Sequence, residues 1–205
     1  MTESEWQTCE DPRRMLEWLR AGSQASDRKF RLFAVAYSRW VWERLTSRLV
    51  RHLVELTERF ADGEAPAEEL ARLREASRPV GLEEQCACDA AYHEDIQAVI
   101  TASAEWYYEN VPAAERTWAG VVQCEVIRDL FNPFRPVLLH PSWQSPPVLA
   151  LARAIYERRA FERLPELATA LVVAGCTDAE LLGHLRGPGP HQKGCWAVDL
   201  LLGKK

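Results

Sequence analysis

The sequence predicts an all-α fold, and three observations support this prediction. Apolar residues recur every three or four positions, the period of an amphipathic helix, along most of the chain. Signals for helix starts and ends, such as Asp11 before Pro12, separate these periodic segments. Strand patterns are scarce, and residues 136–139 are the only candidate for a strand besides residues 197–202. From the start and end signals we expect a compact bundle of about eight helices.

The helix with the strongest periodicity begins near Ser26. Its apolar stripe should face the core and consists of Phe30, Phe33, Ala34, Tyr37, Val41 and Leu45. A break is predicted at Thr46-Ser47, followed by a second helix that ends at Asp62-Gly63. At the start of the chain, Thr2 and Glu5 have the spacing of a capping box, in which each side chain accepts from the other residue's backbone N–H.

The second half of the chain is predicted to contain two long helices and several short ones. The long helices cover residues 82–110 and 112–131. They are separated at Val111-Pro112, because a proline disfavours helical backbone at the residue before it. Ser145 is expected to cap the first short helix, and residues 177–180 have the spacing of a second capping box. The apolar residues 197–202 could form a final helical turn or a strand.

The length of 205 residues predicts a single helical domain that covers residues 1–205. No linker rich in glycine and serine divides the sequence. Prolines and glycines are concentrated in the last third of the chain, which suggests two parts within the domain. We therefore expect an N-terminal part, residues 1–131, packed together with a C-terminal part, residues 132–205.

The composition indicates an ordinary globular protein, for which the cytoplasm is the expected location. Hydrophobic residues make up 47% of the chain, which is enough for a sizeable core. No apolar run reaches the roughly 18 residues that a membrane span needs. The first residues also lack the pattern of a signal peptide. The six cysteines show no framework spacing, so we expect reduced and unbridged thiols.

The segment 28–59 is rich in arginine, which raises nucleic-acid binding as an alternative function. Its basic face would consist of Arg28, Arg31, Arg39, Arg44, Arg48 and Arg51. The aromatic residues of this segment follow the apolar stripe, so we expect them in the core rather than stacked on bases. Because the chain also has a net charge of −5, a solvated face is the preferred interpretation.

Motifs near both ends of the chain carry a resemblance to a protein family. In the first half they include Thr2-Glu3-Ser4-Glu5-Trp6 and Ser26-Asp27-Arg28-Lys29-Phe30-Arg31-Leu32-Phe33-Ala34. In the second half they include Asn132-Pro133-Phe134-Arg135-Pro136, Gly187-Pro188-Gly189-Pro190-His191 and Gly194-Cys195-Trp196. Over nearly its whole length the sequence resembles an uncharacterised paralogous family expanded in planctomycete bacteria. The resemblance implies a bacterial source, and it brings no established activity, substrate or cofactor.

The C-terminal part contains four residues of metal-ligand chemistry, Cys176, His184, His191 and Cys195. Their spacing is Cys-x7-His-x6-His-x3-Cys, which lacks the tight knuckle of two close ligands found in most structural zinc sites. The sequence therefore favours no bound metal or cofactor, with separate core cysteines and exposed histidines. Zinc at these residues is one alternative. A metal-dependent or thiol enzyme that uses His184, His191 and Cys195 is another.

The function that the sequence favours is a non-catalytic protein-interaction or regulatory module with an unidentified protein partner. No residue is visible that would orient a histidine as a base beside Cys195. Residues 132–136 and 187–196 are loops stiffened by prolines, and we expect them to lie together as the recognition surface. The predicted binding residues on and beside these loops are Arg135, His140, His191 and Lys193.

Overall fold

Ten α-helices and three short 3-10 helices make up the described part of the structure, which contains no strand. The structure is a computed structural model, and it describes residues 1–22, 26–40, 42–77 and 113–204. The predicted all-α class is therefore confirmed, and the number of helices is near the predicted eight. The long helix predicted at residues 82–110 lies outside the described residues.

The chain divides into two compact units, an N-terminal unit of Met1–Ile127 and a C-terminal unit of Arg128–Lys205. The division falls close to the boundary after residue 131 that the sequence suggests. The packing of the two parts into a single domain stays a prediction.

The helices of the N-terminal unit are α1 (Glu3–Thr8), α2 (Pro12–Ala21), α3 (Asp27–Trp40), α4 (Arg48–Ala61), α5 (Ala67–Ala76) and most of α6 (Ala113–Leu130). The predicted capping box of Thr2 and Glu5 is present at the start of α1. Asp11 caps α2 by accepting from two backbone N–H groups of its first turn. Ser47 caps α4, which confirms the predicted break before this helix.

The core of the N-terminal unit forms where α3 packs against α4 and α4 packs against α5. The predicted stripe is buried at four positions: Phe30, Phe33, Ala34 and Leu45. The side chain of Tyr37, and Val41 as a whole, lie outside the described residues. Helix α3 also buries Leu32 and Val35, so its apolar face is wider than the single stripe seen in the sequence.

Several arginines of the basic segment are held by partners within the N-terminal unit. Arg39 makes a bidentate ion pair with the buried Glu58, with N–O distances of 2.9 and 2.7 Å. Its guanidinium carbon also lies 4.2 Å from the centre of the Trp42 ring. Arg28 forms an ion pair with Asp62 at 2.8 Å. Two of the six arginines of the basic face are thus engaged within the unit, and nucleic-acid binding by this segment stays a prediction.

The C-terminal unit contains the end of α6, followed by α7 (Pro146–Arg158), α8 (Leu164–Val173), α9 (Ala179–Arg186) and α10 (Trp196–Leu202). The apolar residues 197–202 thus belong to a final helix. Residues 136–139 form an irregular segment and not the strand that the sequence suggests. Pro136 has no backbone N–H to donate to a neighbouring strand. Val137 and Leu139 instead pack partly buried against the core.

Two helix starts in the C-terminal unit differ in detail from the predictions. Ser145 is the residue before α7, as expected, but its side chain makes no capping hydrogen bond. Helix α9 is capped by Asp178 rather than Thr177, and the Asp178 carboxylate accepts from the backbone N–H of Leu181 at 2.8 Å. Aspartate and threonine are both effective caps, so local chemistry did not decide between these neighbours.

The apolar core of the C-terminal unit lies among α7, α8, α9 and α10. Helix α7 packs against α8 and α10, and α8 packs against α9. Helix α9 contributes Leu181, Leu182 and Leu185 to this core. Because α9 and α10 are also in contact, the loop that joins them, residues 187–195, returns beside α9.

The described cysteines, Cys9, Cys124, Cys176 and Cys195, are free thiols, as predicted. The other two, Cys86 and Cys88, lie outside the described residues. Within the part of the chain that the structure describes, no helix has both the length and the apolar character needed to cross a bilayer.

Candidate metal centre

Four side chains of the C-terminal unit converge into one cluster, Asp129, His184, His191 and Cys195. Each side chain offers one ligand atom, and all four atoms lie within 4.8 Å of one another. Asp129 comes from the last turn of α6, His184 from α9, His191 from the loop after α9, and Cys195 from the residue before α10. The cluster therefore joins three helices and a loop of the same unit.

Asp129 is the buried carboxylate at the centre of the cluster, with 3% of its side chain exposed. A negative charge in the last turn of a helix is unfavourable, because the carbonyl end of the helix is itself negative. Compensation comes from hydrogen-bond donors: Oδ1 lies 2.7 Å from Nδ1 of His191 and 3.1 Å from Nε2 of His184. The other oxygen, Oδ2, accepts from the backbone N–H of Gln192 at 3.0 Å.

His191 is oriented by hydrogen bonds from both of its ring nitrogens. Nδ1 faces Asp129, and Nε2 lies 3.2 Å from the carbonyl oxygen of Gly187. Gly189 allows this loop to form, because its φ is +91° and a Cβ there would lie 2.8 Å from the backbone nitrogen of His191. Since both ring nitrogens face oxygen acceptors, the metal-free geometry suits a protonated imidazolium paired with the Asp129 carboxylate.

His184 lies on α9 beside the leucines that the helix buries in the core. Its Nε2 atom is 3.1 Å from Oδ1 of Asp129 and 3.2 Å from Sγ of Cys195. On the opposite side of the ring, Nδ1 accepts a hydrogen bond from the indole N–H of Trp196 at 3.2 Å. The side chain is 18% exposed, which makes it the most accessible member of the cluster.

Cys195 is fully buried at the start of α10. Burial raises the pKa of its thiol well above the ordinary value, and the nearby charge of Asp129 raises it further. Backbone N–H groups of Val198 and Ala197 only partly offset these effects. Without a metal ion the residue is therefore a neutral thiol at physiological pH, whereas a bound cation would favour the thiolate.

The pKa values of Asp129 and His191 are displaced in opposite directions by their interaction. Burial by itself would raise the pKa of Asp129, but hydrogen bonds from the two histidines and their charges outweigh it and lower the value below 3.8. Burial would lower the pKa of His191, but the hydrogen bond and charge of Asp129, helped by the Gly187 carbonyl, raise it above 6.5. Both shifts favour the charged pair in the metal-free protein.

We expect this pair to contribute most to the stability of the metal-free protein between its ordinary pKa values of 3.8 and 6.5. The His191 contribution is complete below 6.5 and is lost as pH rises through the raised pKa of the folded state. The Asp129 contribution is complete above 3.8 and is lost as pH falls through its lowered pKa. Urea unfolding in chelator should show the alkaline decline, and His191→Gln should remove this part of it. An equal decline in the variant would contradict the assignment.

Three of the distances between ligand atoms are close to those required by a tetrahedral zinc ion. With bonds of about 2.0–2.3 Å, neighbouring ligand atoms around zinc lie roughly 3.3–3.7 Å apart. The nearest pairs of the cluster are 2.7, 3.1 and 3.2 Å apart, so movements of a few tenths of an ångström would suffice for these pairs. Two imidazoles, a carboxylate and a thiol are also the donor types that zinc takes.

The surroundings of two members of the cluster, His191 and Asp129, also resemble those of metal ligands. A metal-bound histidine commonly donates its second ring N–H to a carbonyl, and the Gly187 carbonyl is in place for His191. A metal-bound carboxylate is commonly held through its free oxygen, as the Gln192 amide holds Asp129. These contacts fix the orientation of both side chains before any ion binds.

Three of the four sequence candidates converge, and one does not. His184, His191 and Cys195 belong to the cluster, while Cys176 lies in the apolar core after α8, where burial raises the pKa of its thiol. The expectation of exposed histidines was wrong for both, since their side chains are only 18% and 8% exposed. The sequence interpretation missed Asp129. An acidic residue in the last turn of a helix was the available signal.

Three of the predicted binding residues lie outside the cluster. Arg135 forms an exposed ion pair with Glu180 at 2.9 Å. His140 caps the 3-10 helix that follows it, with Nδ1 accepting from a backbone N–H. The ammonium group of Lys193 lies 5.1 Å from the centre of the Tyr156 ring. Their role in recognition stays a prediction.

The end of α6 meets the 187–195 loop directly, through the hydrogen bond between Asp129 and Gln192. His191, the fourth predicted binding residue, points into the cluster and has only 8% of its side chain exposed. Its geometry therefore suits a ligand of the cluster better than a displayed contact residue.

Comparison with protein-family models, with curated proteins and with solved structures finds no match for this chain. The resemblance to the planctomycete family therefore stays a prediction.

Proposed function

We propose that the C-terminal unit is a metal-binding module that holds one zinc ion at Asp129, His184, His191 and Cys195. The observation that carries this proposal is the convergence of four ligand atoms within 4.8 Å in a largely buried place. Burying polar groups is unfavourable without compensation, and in the metal-free protein this compensation comes from the hydrogen bonds of Asp129 with His191, His184 and Gln192. A cation satisfies all four at once.

A structural role for the ion follows from the number and burial of the ligands. Catalytic zinc sites usually have three protein ligands and keep one position open for water or substrate. Four protein donors would fill a tetrahedral ion, and Asp129 and Cys195 are almost inaccessible to solvent. The ion would tie the end of α6 to α9, to the 187–195 loop and to the start of α10. This role agrees with a non-catalytic module.

The arrangement argues against a thiol enzyme. In a cysteine nucleophile with a histidine base, one ring nitrogen faces the thiol and the other is oriented by an acceptor. Here Nε2 of His184 faces both Cys195 and Asp129, while Nδ1 accepts from Trp196. The thiol is also fully buried and has a raised pKa, so it is neither accessible nor activated.

A protein partner remains our proposal for the role of the module in the cell. The segment that follows α6 carries the exposed side chains of Arg135 and Leu138, and Leu138 is 88% exposed. An ion at Asp129 would anchor the base of this segment. A loop that is anchored before it binds loses less entropy on association.

Metal analysis of the purified protein tests the proposal. The full chain is equilibrated with excess zinc, passed through a desalting column and analysed for zinc by atomic emission; we expect one ion per chain. With cobalt in place of zinc, the bound ion should give the strong visible bands of a tetrahedral site and a thiolate-to-cobalt charge-transfer band.

Matched cysteine variants locate the ion. Cys195→Ser should abolish the charge-transfer band, because the thiolate donor is lost. Cys176→Ser changes another buried cysteine of the same unit and should leave the band and the stoichiometry unchanged. Failure of the wild-type chain to retain metal, or loss of the band only in the Cys176 variant, would refute the proposal.

A further inference from the structure

Trp196, the first residue of α10, contacts the cluster through its side chain. Its indole N–H donates to Nδ1 of His184 at 3.2 Å, and the two rings lie 4.8 Å apart with an angle of 47° between their planes. Trp196 itself offers no ligand atom to a metal ion, because the indole nitrogen is only a donor. Its contact nevertheless decides which nitrogen of His184 carries a proton.

A neutral imidazole has one N–H donor and one lone-pair acceptor. Because Nδ1 accepts from Trp196, the ring proton of a neutral His184 lies on Nε2. Nε2 is also the atom that faces Asp129 and Cys195, and hence the atom that would bind the ion. The hydrogen bond from Trp196 therefore stabilises the one tautomer of His184 that cannot bind a metal through Nε2.

Metal binding requires the opposite tautomer. The proton on Nε2 leaves to solvent, a proton from solvent is taken up at Nδ1, and the lone pair on Nε2 binds the ion, so the charge of the ring is unchanged. Nδ1–H and the indole N–H are then two donors that face each other at the present distance of 3.2 Å. The hydrogen bond between Trp196 and His184 cannot persist in that state.

We propose that Trp196 is a positioning residue that holds His184 in its metal-free tautomer, and that metal binding releases its indole N–H. This inference rests on the proposed zinc site. Trp196 would then oppose metal binding, and the environment of its indole N–H would change when the ion binds. The ion is thereby coupled to the first residue of α10. A tryptophan that only packed against the ring would stabilise both states alike.

A hydrogen-bonding role and a packing role of Trp196 predict different effects of Trp196→Phe on the affinity for zinc. Phenylalanine keeps an aromatic ring against His184 and removes the N–H donor. Because the lost hydrogen bond belongs to the metal-free state alone, zinc should bind roughly three- to tenfold more tightly. If Trp196 only packed against His184, the smaller ring would leave the affinity unchanged or weaken it.

The experiment uses the full ¹⁵N-labelled chain, titrated with zinc in competition with a chelating indicator. Trp143→Phe is the matched control, since Trp143 is a buried tryptophan of the same unit that lies outside the cluster; its affinity should equal that of the wild type. The indole N–H signal that disappears from the spectrum of Trp196→Phe identifies Trp196. In the wild type this signal should shift upfield on zinc binding, as its hydrogen bond is lost.

The outcomes separate this inference from the proposed function. If zinc binds at one ion per chain but the Trp196 signal does not move, or the Phe variant binds no more tightly, the role of Trp196 is refuted and the metal site stands. If the wild type binds no zinc at all, both are refuted. The wild-type spectrum decides the question even where the variant is poorly folded.

Discussion

Substitution of Asp129 by alanine should lower the free energy of unfolding of the metal-free protein by about 3–5 kcal/mol. The variant leaves the ring of His191 and the backbone N–H of Gln192 buried without the acceptor they share. Removing one partner of a buried ion pair is strongly destabilising, because the His191 ring either keeps a charge without compensation or loses its proton, and the Gln192 N–H loses its acceptor in both cases. Urea unfolding in the presence of chelator measures the effect without any contribution from metal.

Two further variants control for this prediction. Glu166→Ala removes an exposed ion pair with Arg163 in the same unit, and it should leave the unfolding free energy nearly unchanged. Asp129→Asn keeps the shape of the side chain and an acceptor oxygen, so it should be less harmful than alanine. A loss below about 1 kcal/mol in the alanine variant, the range of ordinary surface changes, would show that the buried pair is not what stabilises this part of the unit.

Saturating zinc should raise the free energy of unfolding of the full chain by about 4 kcal/mol when free zinc exceeds the dissociation constant a thousandfold. The four ligands come from segments that unfolding separates, so the unfolded chain cannot offer the same site. Urea unfolding curves recorded with buffered zinc and with chelator give the difference directly.

Histidine variants test whether the stabilisation arises at the cluster. His191→Ala removes one ligand and should abolish most of the zinc effect. His140→Ala removes an exposed histidine of the same unit and should preserve it. Equal stabilisation of both variants would mean that zinc binds elsewhere on the protein.

The fold class was predictable because the decisive information is local. Thr2, Asp11 and Ser47 cap their own first turns, and the stripe of α3 follows the period of the helix that carries it. The start of α9 shows where local chemistry is insufficient. Thr177 and Asp178 can both cap a helix, and the start was shifted by one residue in the structure.

The site was only partly predictable, because spacing rules describe ligands that lie close together in sequence. His184, His191 and Cys195 were recognisable by residue type and were set aside because they lack a knuckle. The acid that completes the set lies 55 positions before His184 and looks in the sequence like an ordinary polar residue of a helix. Only the structure shows that this residue, Asp129, is buried.

The sequence by itself therefore determined the all-α class, most helix starts, the buried face of α3 and three of the four cluster residues. Tertiary structure alone decided that Asp129 meets them, that both histidines are largely buried, and that Cys176 stays apart. The physical reason is the range of the interactions involved. Caps and stripes depend on neighbours within one or two turns, whereas the cluster depends on the packing of α7, α8, α9 and α10 into one core, which returns the 187–195 loop to the end of α6.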